Sequence, residues 1–415
     1  MARTVHVIGA GLAGLSAALK LSARGDTVAV HEATVFAGGR CRSYHDAVLG
    51  MTIDNGNHLL LSGNRAAMDY VRGIGAEHRL AGPAAAQFSF VDNASRESWT
   101  LRLNDGPLPF WIFDAKRRVP GTQVLDYVAL ARLLLPASGK TVGEVIACEG
   151  PLYRRLVQPL LLAALNIDPP QGSAKLARAV IRETLGAGGK ACRPLIARDG
   201  LGATLIEPAL TVLRERGAVV RFEHQLRAIS FGADRAAALD FGGDIITLAD
   251  DDAVILAVPP YAATSILREL AAPTEFRAIV NAHFRIAPPA GQPPILGVLN
   301  ATTEWLFAFP GRLSVTISAG DRLIDTPREE LAKTIWGEVA SVTGLPAALP
   351  PWQIVRERRA TFAATPAQDA KRPGAETQWR NLALAGDWTN TGLPATIEGA
   401  IRSGNRAAEL LARLP

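Results

Sequence analysis

Apolar residues at the start of the chain first follow the pattern of a short strand and then that of a helix. Val5, Val7 and Ile8 form a compact apolar run, and apolar positions recur at helical spacing from Leu12 to Leu21. A turn at residues 25–26 precedes a second apolar run over residues 28–31. This order predicts a strand–helix–strand unit within residues 4–33.

Later segments carry the same two patterns. Residues 125–135 and 151–165 have helical spacing, whereas residues 276–354 alternate as strands do, with one helix expected from about 327 to 342. A buried strand is expected at residues 251–260, and another at 382–387 is followed by a final helix. Strands and helices alternating in this way predict an α/β chain.

Bulk properties restrict the classes of protein that fit. At 415 residues, with 48% apolar and 20% charged residues, the chain should form two globular domains. A formal charge of +5 suits an anionic partner or membrane face, but no block of like charges indicates nucleic acid. Three cysteines without a CxxC pair predict neither a disulfide framework nor a metal site, and they fit a reducing cytoplasm. No apolar stretch is long enough to span a bilayer.

Glycines 9, 11 and 14 stand between the first strand and the first helix with the spacing GxGxxG. Gly9 would permit the tight turn, Gly11 would let the backbone approach a pyrophosphate, and Gly14 would allow close helix packing. The free N–H groups at Leu12 and Ala13 would point at the phosphates. Glu32, at the end of the second strand, stands where a carboxylate accepts hydrogen bonds from a ribose. We predict a dinucleotide site, with a purely structural unit as the alternative.

Three further motifs carry a resemblance to a known family. They are TVFAGGRCRSY (residues 34–44), IDNGNHLLLSGN (53–64) and LAGDWTNTGLPATIEGAIRSG (384–404). With them the chain resembles the FAD-dependent amine oxidase and phytoene desaturase superfamily over nearly its whole length. The resemblance implies a discontinuous Rossmann-type FAD-binding domain (residues 1–91, 191–275 and 355–415). An inserted α+β substrate domain would occupy residues 92–190 and 276–354.

The same resemblance implies which residues hold FAD. They are Gly9, Gly11, Leu12, Ala13, Gly14, Glu32, Ala33, Gly39, Arg40, Leu226, Gly386, Asp387, Thr396 and Ile397. Glu32 would bind the adenosine ribose, Arg40 the phosphates and the flavin edge, and Leu226 the adenine through its backbone. Asp387 would meet the ribityl chain or pyrophosphate, and the amides of Thr396 and Ile397 the flavin pyrimidine. Binding should be noncovalent, because the last cysteine is Cys192.

Further blocks narrow the resemblance to the squalene-associated FAD-dependent desaturases. They are EGPLYRRLVQPLLLAALN (149–166), EFRAIVNAHFRI (275–286) and RATFAATPAQ (359–368). The activity assigned to that group is hydroxysqualene dehydroxylation. It implies a hydrophobic C30 isoprenoid substrate, reduced FAD as hydride donor, and NAD(P)H or a reductase as the source of electrons. Two alternatives stay open, an oxidative desaturase of the phytoene type and a non-enzymatic prenyl-lipid carrier.

Loss of a hydroxyl as water requires an acid or a polarising donor. By family position the candidates are His58, Asn57, Asp54 and Glu398. His58 can titrate near neutrality, or it can form hydrogen bonds within its loop. For Asp54 and Glu398 a structural role is favoured. Amine oxidation is not expected, because no lysine occurs between Lys190 and Lys333, where amine oxidases carry one near the flavin.

Residues 108–121, LPFWIFDAKRRVPG, combine large apolar side chains with adjacent cations. They could form a hairpin whose Phe110, Trp111 and Phe113 cover the core. Alternatively these aromatics enter a lipid interface while Lys116 to Arg118 meet anionic head groups. The second interpretation would place the protein peripherally on the inner face of the cytoplasmic membrane.

Overall fold

The computed structural model describes residues 3–412 as a mixed arrangement of strands and helices. Twenty strands lie within these residues: β1 (Thr4–Ile8), β2 (Thr27–His31), β3 (Ser43–Asp46), β4 (Met51–Asp54), β5 (Leu59–Leu61), β6 (Leu80–Ala81), β7 (Gln87–Asp92), β8 (Ser98–Arg102), β9 (Pro194–Ala197), β10 (Val219–Arg221), β11 (Ala228–Phe231), β12 (Ala236–Asp240), β13 (Ile245–Thr247), β14 (Ala253–Leu256), β15 (Phe276–Phe284), β16 (Ile295–Leu299), β17 (Trp305–Phe309), β18 (Arg312–Ile317), β19 (Trp352–Phe362) and β20 (Leu382–Leu384).

Eleven α-helices lie within the same residues: α1 (Leu12–Ser22), α2 (Arg65–Gly73), α3 (Val128–Leu133), α4 (Gly150–Leu152), α5 (Gln158–Leu165), α6 (Ala174–Glu183), α7 (Glu207–Glu215), α8 (Pro260–Ile266), α9 (Arg328–Thr343), α10 (Pro366–Ala370) and α11 (Ile397–Leu411). A π-helical turn at Tyr153–Val157 joins α4 to α5. The predicted helices at 151–165 and from about 327 are therefore confirmed.

A five-stranded parallel sheet gathers strands from distant parts of the chain in the order β10-β2-β1-β14-β20. Its central strands are buried on both faces, with Val5, Val7 and Ile255 fully enclosed. That burial explains why these strands read as continuous apolar runs. The sheet confirms the predicted α/β fold class.

Helices α1 and α11 pack against each other on this sheet. A side chain at Gly404 would place its Cβ 2.0 Å from the carbonyl oxygen of Ala13, so only glycine allows this approach. The Ser16 hydroxyl also lies 3.3 Å from the carbonyl oxygen of Ile401. The first and last segments of the chain thereby meet on one face of the sheet.

A seven-stranded sheet in the order β19-β15-β18-β17-β16-β7-β8 forms the second large layer. Helix α9 covers one face, where Trp336 packs with Phe284, Val315 and other buried apolar residues. Alternate positions of β15 and β18 point to the opposite face and include the polar residues Asn281 and Thr316. These contact the loop around Asn57, which connects β4 to β5.

Residues 108–121 do not form the hairpin of the first of the two interpretations left open by the sequence. Phe110–Phe113 is a short 3-10 turn, in which Trp111 is buried and its ring meets Tyr127 edge-on at 5.3 Å. Phe110 and Phe113 remain 64% and 66% exposed. A turn of this kind separates neighbouring aromatics onto opposite sides, so the three side chains do not act as one group.

Two strands of the large sheet cross the predicted domain boundaries. β7 spans the boundary expected after residue 91, and β19 spans the one expected after residue 354. Within residues 3–412, no helix combines the length and apolar character required to cross a membrane.

Candidate active site

The glycines after β1 create an open cradle at the start of α1. Gly9 has φ of +105°, and a Cβ at Gly14 would lie only 1.9 Å from the Gly9 carbonyl oxygen. A Cβ at Gly11, in contrast, would meet no atom of residues 3–412 within 4 Å. Gly9 thus makes the turn, and Gly14 allows the close packing of the helix. Gly11 faces free space beside the N–H groups of Leu12 and Ala13. An anionic group such as a pyrophosphate fits there.

Glu32 lies directly beside this cradle. Its Oε2 accepts a hydrogen bond from the Ala10 N–H at 2.9 Å, and its Oε1 accepts one from the Thr34 N–H at 2.9 Å. The Thr34 hydroxyl also lies 2.9 Å from Oε1, so Oε2 is the oxygen that keeps a further lone pair for a ligand hydroxyl. Ala33 follows at the same strand end. Leu226 follows β10 in the chain and is buried. Two residues before it, the N–H of His224 donates to the Glu32 carbonyl at 2.8 Å.

Arg40 connects the first and last segments of the chain. Its Nη2 lies 2.6 Å from Asp387 Oδ1, and its Nη1 donates to the Ala360 carbonyl at 2.5 Å. Burial opposes the charge of Arg40, but the carboxylate of Asp387 more than offsets this and raises the pKa of the guanidinium. The left-handed residues Gly38 and Gly39 bring Arg40 to the cradle, where the Gly38 N–H bonds the Ala10 carbonyl at 2.8 Å.

The loop after β20 is held in place by a residue that sequence reasoning missed. Arg372 is buried, and its guanidinium donates to the carbonyl oxygens of Asp387 at 3.2 Å and Thr389 at 2.5 Å. Asp369 pairs with Arg372 at 3.0 Å. Gly386 opens this loop with φ of +146°, and its N–H donates to Ser403. A buried arginine with several carbonyl partners fixes the Asp387 backbone.

The start of α11 presents free backbone donors, as predicted. Thr396 caps the helix by accepting the Gly399 N–H at 3.0 Å, and within the described residues the N–H groups of Thr396 and Ile397 donate to no protein acceptor. A helix start favours negative charge through its dipole.

Glu398 is turned away from these donors. Its carboxylate accepts the N–H groups of Ala66 at 3.1 Å and Ala67 at 2.8 Å, which begin α2, and it pairs with Arg402 at 2.7 Å. The buried carboxylate therefore caps a neighbouring helix. This supports its structural role and leaves no free oxygen directed at a reactant.

Asp54 is also fully engaged. Oδ1 accepts hydrogen bonds from the Ser43 hydroxyl at 2.5 Å and the Leu201 N–H at 2.9 Å. Oδ2 lies 3.6 Å from Arg312 in a buried ion pair. Asp54 thus fastens the β3–β4 hairpin to the large sheet, which again supports the structural role.

His58 is half-buried beside Cys41, whose Sγ lies 3.9 Å from its Nε2. Burial lowers the pKa of His58 to about 4, and the charge of Asp54 only partly opposes this. Burial also raises the pKa of the Cys41 thiol to about 12. Titration of His58 near neutrality, as expected from its unperturbed pKa, is therefore wrong, because the enclosed site disfavours the imidazolium ion.

Asn57 lies between its own loop and the large sheet. Its Nδ2 donates to the Thr316 hydroxyl at 3.1 Å, while its buried Oδ1 has no hydrogen-bond partner among residues 3–412. Asn281 on β15 and Thr316 on β18 carried no sequence signal for this role, because each lies more than 200 residues from Asn57. Only the folded sheet brings them together.

These features fit a dinucleotide cofactor with a flavin end. The open cradle at Gly11 lies beside the free N–H donors at the start of α1. Arg40 connects this cradle to Asp387 in the last segment of the chain, where α11 also presents free N–H donors. The candidate catalytic residues divide into the engaged carboxylates Asp54 and Glu398 and the less constrained pair Asn57 and His58. Among residues 3–412 no group of His, Cys, Asp and Glu side chains is arranged to hold a metal ion.

Known proteins match this chain along nearly its whole length. A family model described as flavin containing amine oxidoreductase matches residues 12–412. A protein named hydroxysqualene dehydroxylase from Rhodopseudomonas palustris is 64% identical over 412 residues, covering 99% of each chain. Its namesake from Sinorhizobium fredii is 59% identical over 99% of this chain and 98% of its own. The structure of cyclohexylamine oxidase from Brevibacterium oxydans superposes with a TM-score of 0.73 over 99% of both chains, at 17% identity, and has the same fold.

Proposed function

Since the chain belongs to the family of flavin-containing amine oxidoreductases, we propose that it is an FAD-dependent enzyme that reductively removes the hydroxyl of hydroxysqualene to give squalene. The observation that carries this proposal is the near-complete match to relatives named hydroxysqualene dehydroxylase. Two further features are consistent with this function: the carboxylates of Asp54 and Glu398 are bound to protein groups, and strand β15 contains no lysine. An oxidative desaturase or a lipid carrier receives no comparable support.

The reaction replaces a C–O bond by a C–H bond and needs a hydride, a proton and a way out for water. Bound FAD, in its reduced form, would supply the hydride. NAD(P)H or a separate reductase would in turn supply the electrons. The tasks of the polypeptide are to bind the cofactor, exclude bulk water and direct the hydroxyl as it leaves.

We assign FAD to the connected site between α1 and α11. The pyrophosphate would meet Gly11 and the N–H groups of Leu12 and Ala13, and Glu32 would accept the ribose hydroxyls. Arg40, which the Asp387 carboxylate and the Ala360 carbonyl hold beside the cradle, would contribute positive charge near the phosphates. The free N–H groups of Thr396 and Ile397 would face the pyrimidine edge, where reduced flavin carries negative charge.

His58 would assist the leaving hydroxyl as a neutral donor. Since the Cys41 thiol stays protonated, its S–H is available to the His58 Nε2 at 3.9 Å. The proton of a neutral imidazole then resides on Nδ1, which can donate to an oxygen. This role needs no imidazolium ion and therefore agrees with the low pKa.

The substrate would occupy the unit formed by residues 92–190 and 276–354, and the cofactor unit would comprise residues 1–91, 191–275 and 355–415. The face of the large sheet that carries Thr316 is rich in aromatic rings near Gly297. There the rings of Phe90 and Trp305 meet edge to face, with their centroids 5.7 Å apart. Gly297 leaves room for these rings, since an added Cβ would lie 2.4 Å from Phe90. Such a surface suits a long isoprenoid chain.

An exposed apolar surface suggests how such a substrate is collected. The 3-10 turn carries the exposed side chains of Phe110 and Phe113, and the segment that contains Tyr127 carries Leu125, which is 78% exposed. The turn and this segment contact each other through Trp111 and Tyr127. Lys116 and Arg132 are exposed on the same segments. Apolar side chains flanked by cations are typical of peripheral contact with an anionic membrane.

The triple variant Phe110→Ser, Phe113→Ser and Leu125→Ser should bind anionic liposomes at least tenfold more weakly, because each lost ring or aliphatic group removes about 1.5–3 kcal/mol of burial. Flotation with phosphatidylserine vesicles measures this. The matched control is Val48→Ser with Ile245→Ser, two side chains of equal exposure elsewhere. Equal binding by the triple variant and the control, with flavin content unchanged in both, would remove the membrane surface from the proposal.

The proposed activity is tested by incubating purified protein anaerobically with hydroxysqualene and a chemical reductant. We expect yellow protein that releases FAD on acid treatment, and squalene as the product. A polyene formed with consumption of O2 would instead indicate the oxidative desaturase, and a colourless protein that does not take up FAD would indicate the carrier.

A further inference from the structure

A chain of hydrogen bonds links Asn57 to the large sheet. It fixes which atom of each side chain donates and which accepts. Asn281 Nδ2 donates to the Asn55 carbonyl at 3.3 Å, and Asn281 Oδ1 accepts the Thr316 hydroxyl at 2.8 Å. Thr316 Oγ1 in turn accepts Asn57 Nδ2 at 3.1 Å. The four residues belong to the β4–β5 loop and to two adjacent strands, β15 and β18.

The orientation of both carboxamides follows from their backbone partners. A carbonyl can only accept, so the Asn55 carbonyl requires the nitrogen of Asn281, and the Val315 carbonyl, at 3.5 Å, requires the nitrogen of Asn57. The N–H of Asn57 meets Asn281 Oδ1 at 3.4 Å and fixes the same orientation. Asn57 therefore offers only its oxygen to other groups.

Within the part of the chain that the structure describes, that oxygen is buried without a hydrogen-bond partner, although the other polar side-chain atoms of the network have partners. An unpaired buried acceptor is costly, and native structures compensate nearly all such atoms with a protein group, a water molecule or a ligand. Since Asn57 adjoins His58 in the proposed reaction centre, a reactant that carries an N–H or O–H donor fits this position.

We propose that Asn281 and Thr316 are positioning residues that hold Asn57 Oδ1 as an acceptor for a donor present only in the reactants. The inference rests on the proposed function. Hydroxysqualene carries an O–H that squalene lacks, and reduced flavin carries an N5–H that oxidised flavin lacks. In either case the acceptor would be paired with a reactant and would lose that partner once hydride has been transferred and water has left, so it favours binding of the reactants over binding of squalene and oxidised flavin.

The discriminating variant is Thr316→Val, which keeps the shape of the side chain and removes its hydroxyl. Asn57 would then retain only the long contact to Val315, and its amide could rotate and present nitrogen instead of oxygen. Thr316→Ser keeps the hydroxyl and should restore the wild-type behaviour. Because Thr316 is only partly buried and Val is isosteric, both variants should fold and bind flavin.

The first readout is the ratio of dissociation constants for squalene and hydroxysqualene, measured with oxidised enzyme so that no turnover occurs. If the substrate hydroxyl is the donor, the wild-type protein should prefer hydroxysqualene by about tenfold to a hundredfold. Thr316→Val should remove most of this preference while the flavin midpoint potential stays unchanged.

The second readout is the midpoint potential of the bound flavin without substrate, which does not depend on the proposed reaction. If the flavin N5–H is the donor, Thr316→Val should lower the potential by about 30 mV for each tenfold loss of preference for reduced flavin. The ligand ratio should then stay unchanged. If Thr316→Val changes neither quantity, the inference is wrong, even where the wild-type enzyme forms squalene. A failure to form squalene with a shifted potential would instead refute only the proposed substrate.

Discussion

The adenosine half of the proposed cofactor site and its reaction half differ in the sequence distance between contacting residues. In the adenosine half, Glu32 bonds the N–H of Ala10, 22 positions away, and Gly14 packs on Gly9. In the reaction half, Asn57 bonds Thr316 across 259 positions, and Arg40 bonds Asp387 across 347. The first half is one local supersecondary unit, and the second half exists only after two sheets have assembled.

The two halves also differ in how their carboxylates are used. In the adenosine half, Glu32 Oε2 accepts one backbone N–H, from Ala10, and keeps a lone pair for a ligand hydroxyl. In the reaction half, Asp54 and Glu398 use both oxygens on protein groups. Carboxylates near the reaction centre therefore maintain the architecture, and neutral groups such as His58 and Asn57 remain for the chemistry. The following predictions test this division.

The largest effect is expected from Gly14→Ala. Its Cβ would lie 1.9 Å from the Gly9 carbonyl oxygen, so the unfolding free energy of the apoprotein should fall by about 3 kcal/mol or more. Gly11→Ala is the matched control, because its Cβ meets no protein atom within 4 Å. It should cost less than about 1 kcal/mol of apoprotein stability yet weaken FAD binding at least tenfold. Denaturant titration and flavin titration separate the two effects. Unchanged FAD affinity in Gly11→Ala would place the pyrophosphate elsewhere.

A smaller effect is expected from Glu398→Gln. The change removes charge from a carboxylate that caps α2 and pairs with Arg402, so stability should fall by about 1–3 kcal/mol. Turnover per bound flavin should remain near the wild-type value. Arg402→Gln is the control, because it removes the same ion pair together with the pair between Arg402 and Glu183 but leaves the Glu398 carboxylate in place. If Glu398→Gln instead keeps its stability and loses turnover, Glu398 is the acid and the division between the halves is wrong.

The smallest effect concerns pH. The pKa of His58 falls from 6.5 unfolded to about 4 folded, so between these values the unfolded chain binds the additional proton. Stability contributed by neutral His58 is therefore complete above pH 6.5 and is lost as the pH falls toward 4. His58→Gln should lack this component, so the difference between wild type and variant should shrink from pH 7.5 to pH 5 in denaturant titrations. A stability difference that does not change with pH would show that folding does not lower the pKa of His58.

Local features were predictable from the sequence, and long-range ones were not. The start of α1 at Leu12, the positive φ of Gly9 and the close approach at Gly14 follow from residues within one strand–helix–strand unit. Asn281, Thr316 and Arg372 act through partners on other segments, and no periodicity marks them. His58 was misjudged for the same reason, since its pKa depends on burial that only the assembled fold creates.

Residues 108–121 show a related limit. Composition identified an aromatic and basic segment, but it could not tell which rings turn inward. Trp111 is buried against Tyr127, whereas Phe110 and Phe113 face solvent. Short 3-10 turns have too few residues for a periodic pattern to separate the two sides.

The central claim is that the bound flavin gives its electrons to hydroxysqualene, and a single-turnover experiment tests it most directly. Enzyme reduced anaerobically to the two-electron state would be mixed with hydroxysqualene, while flavin absorbance and extracted product are followed together. The account predicts that flavin reoxidises and that one squalene appears for each flavin oxidised. Reduced flavin that persists in the presence of hydroxysqualene, or reoxidises without forming squalene, would contradict it.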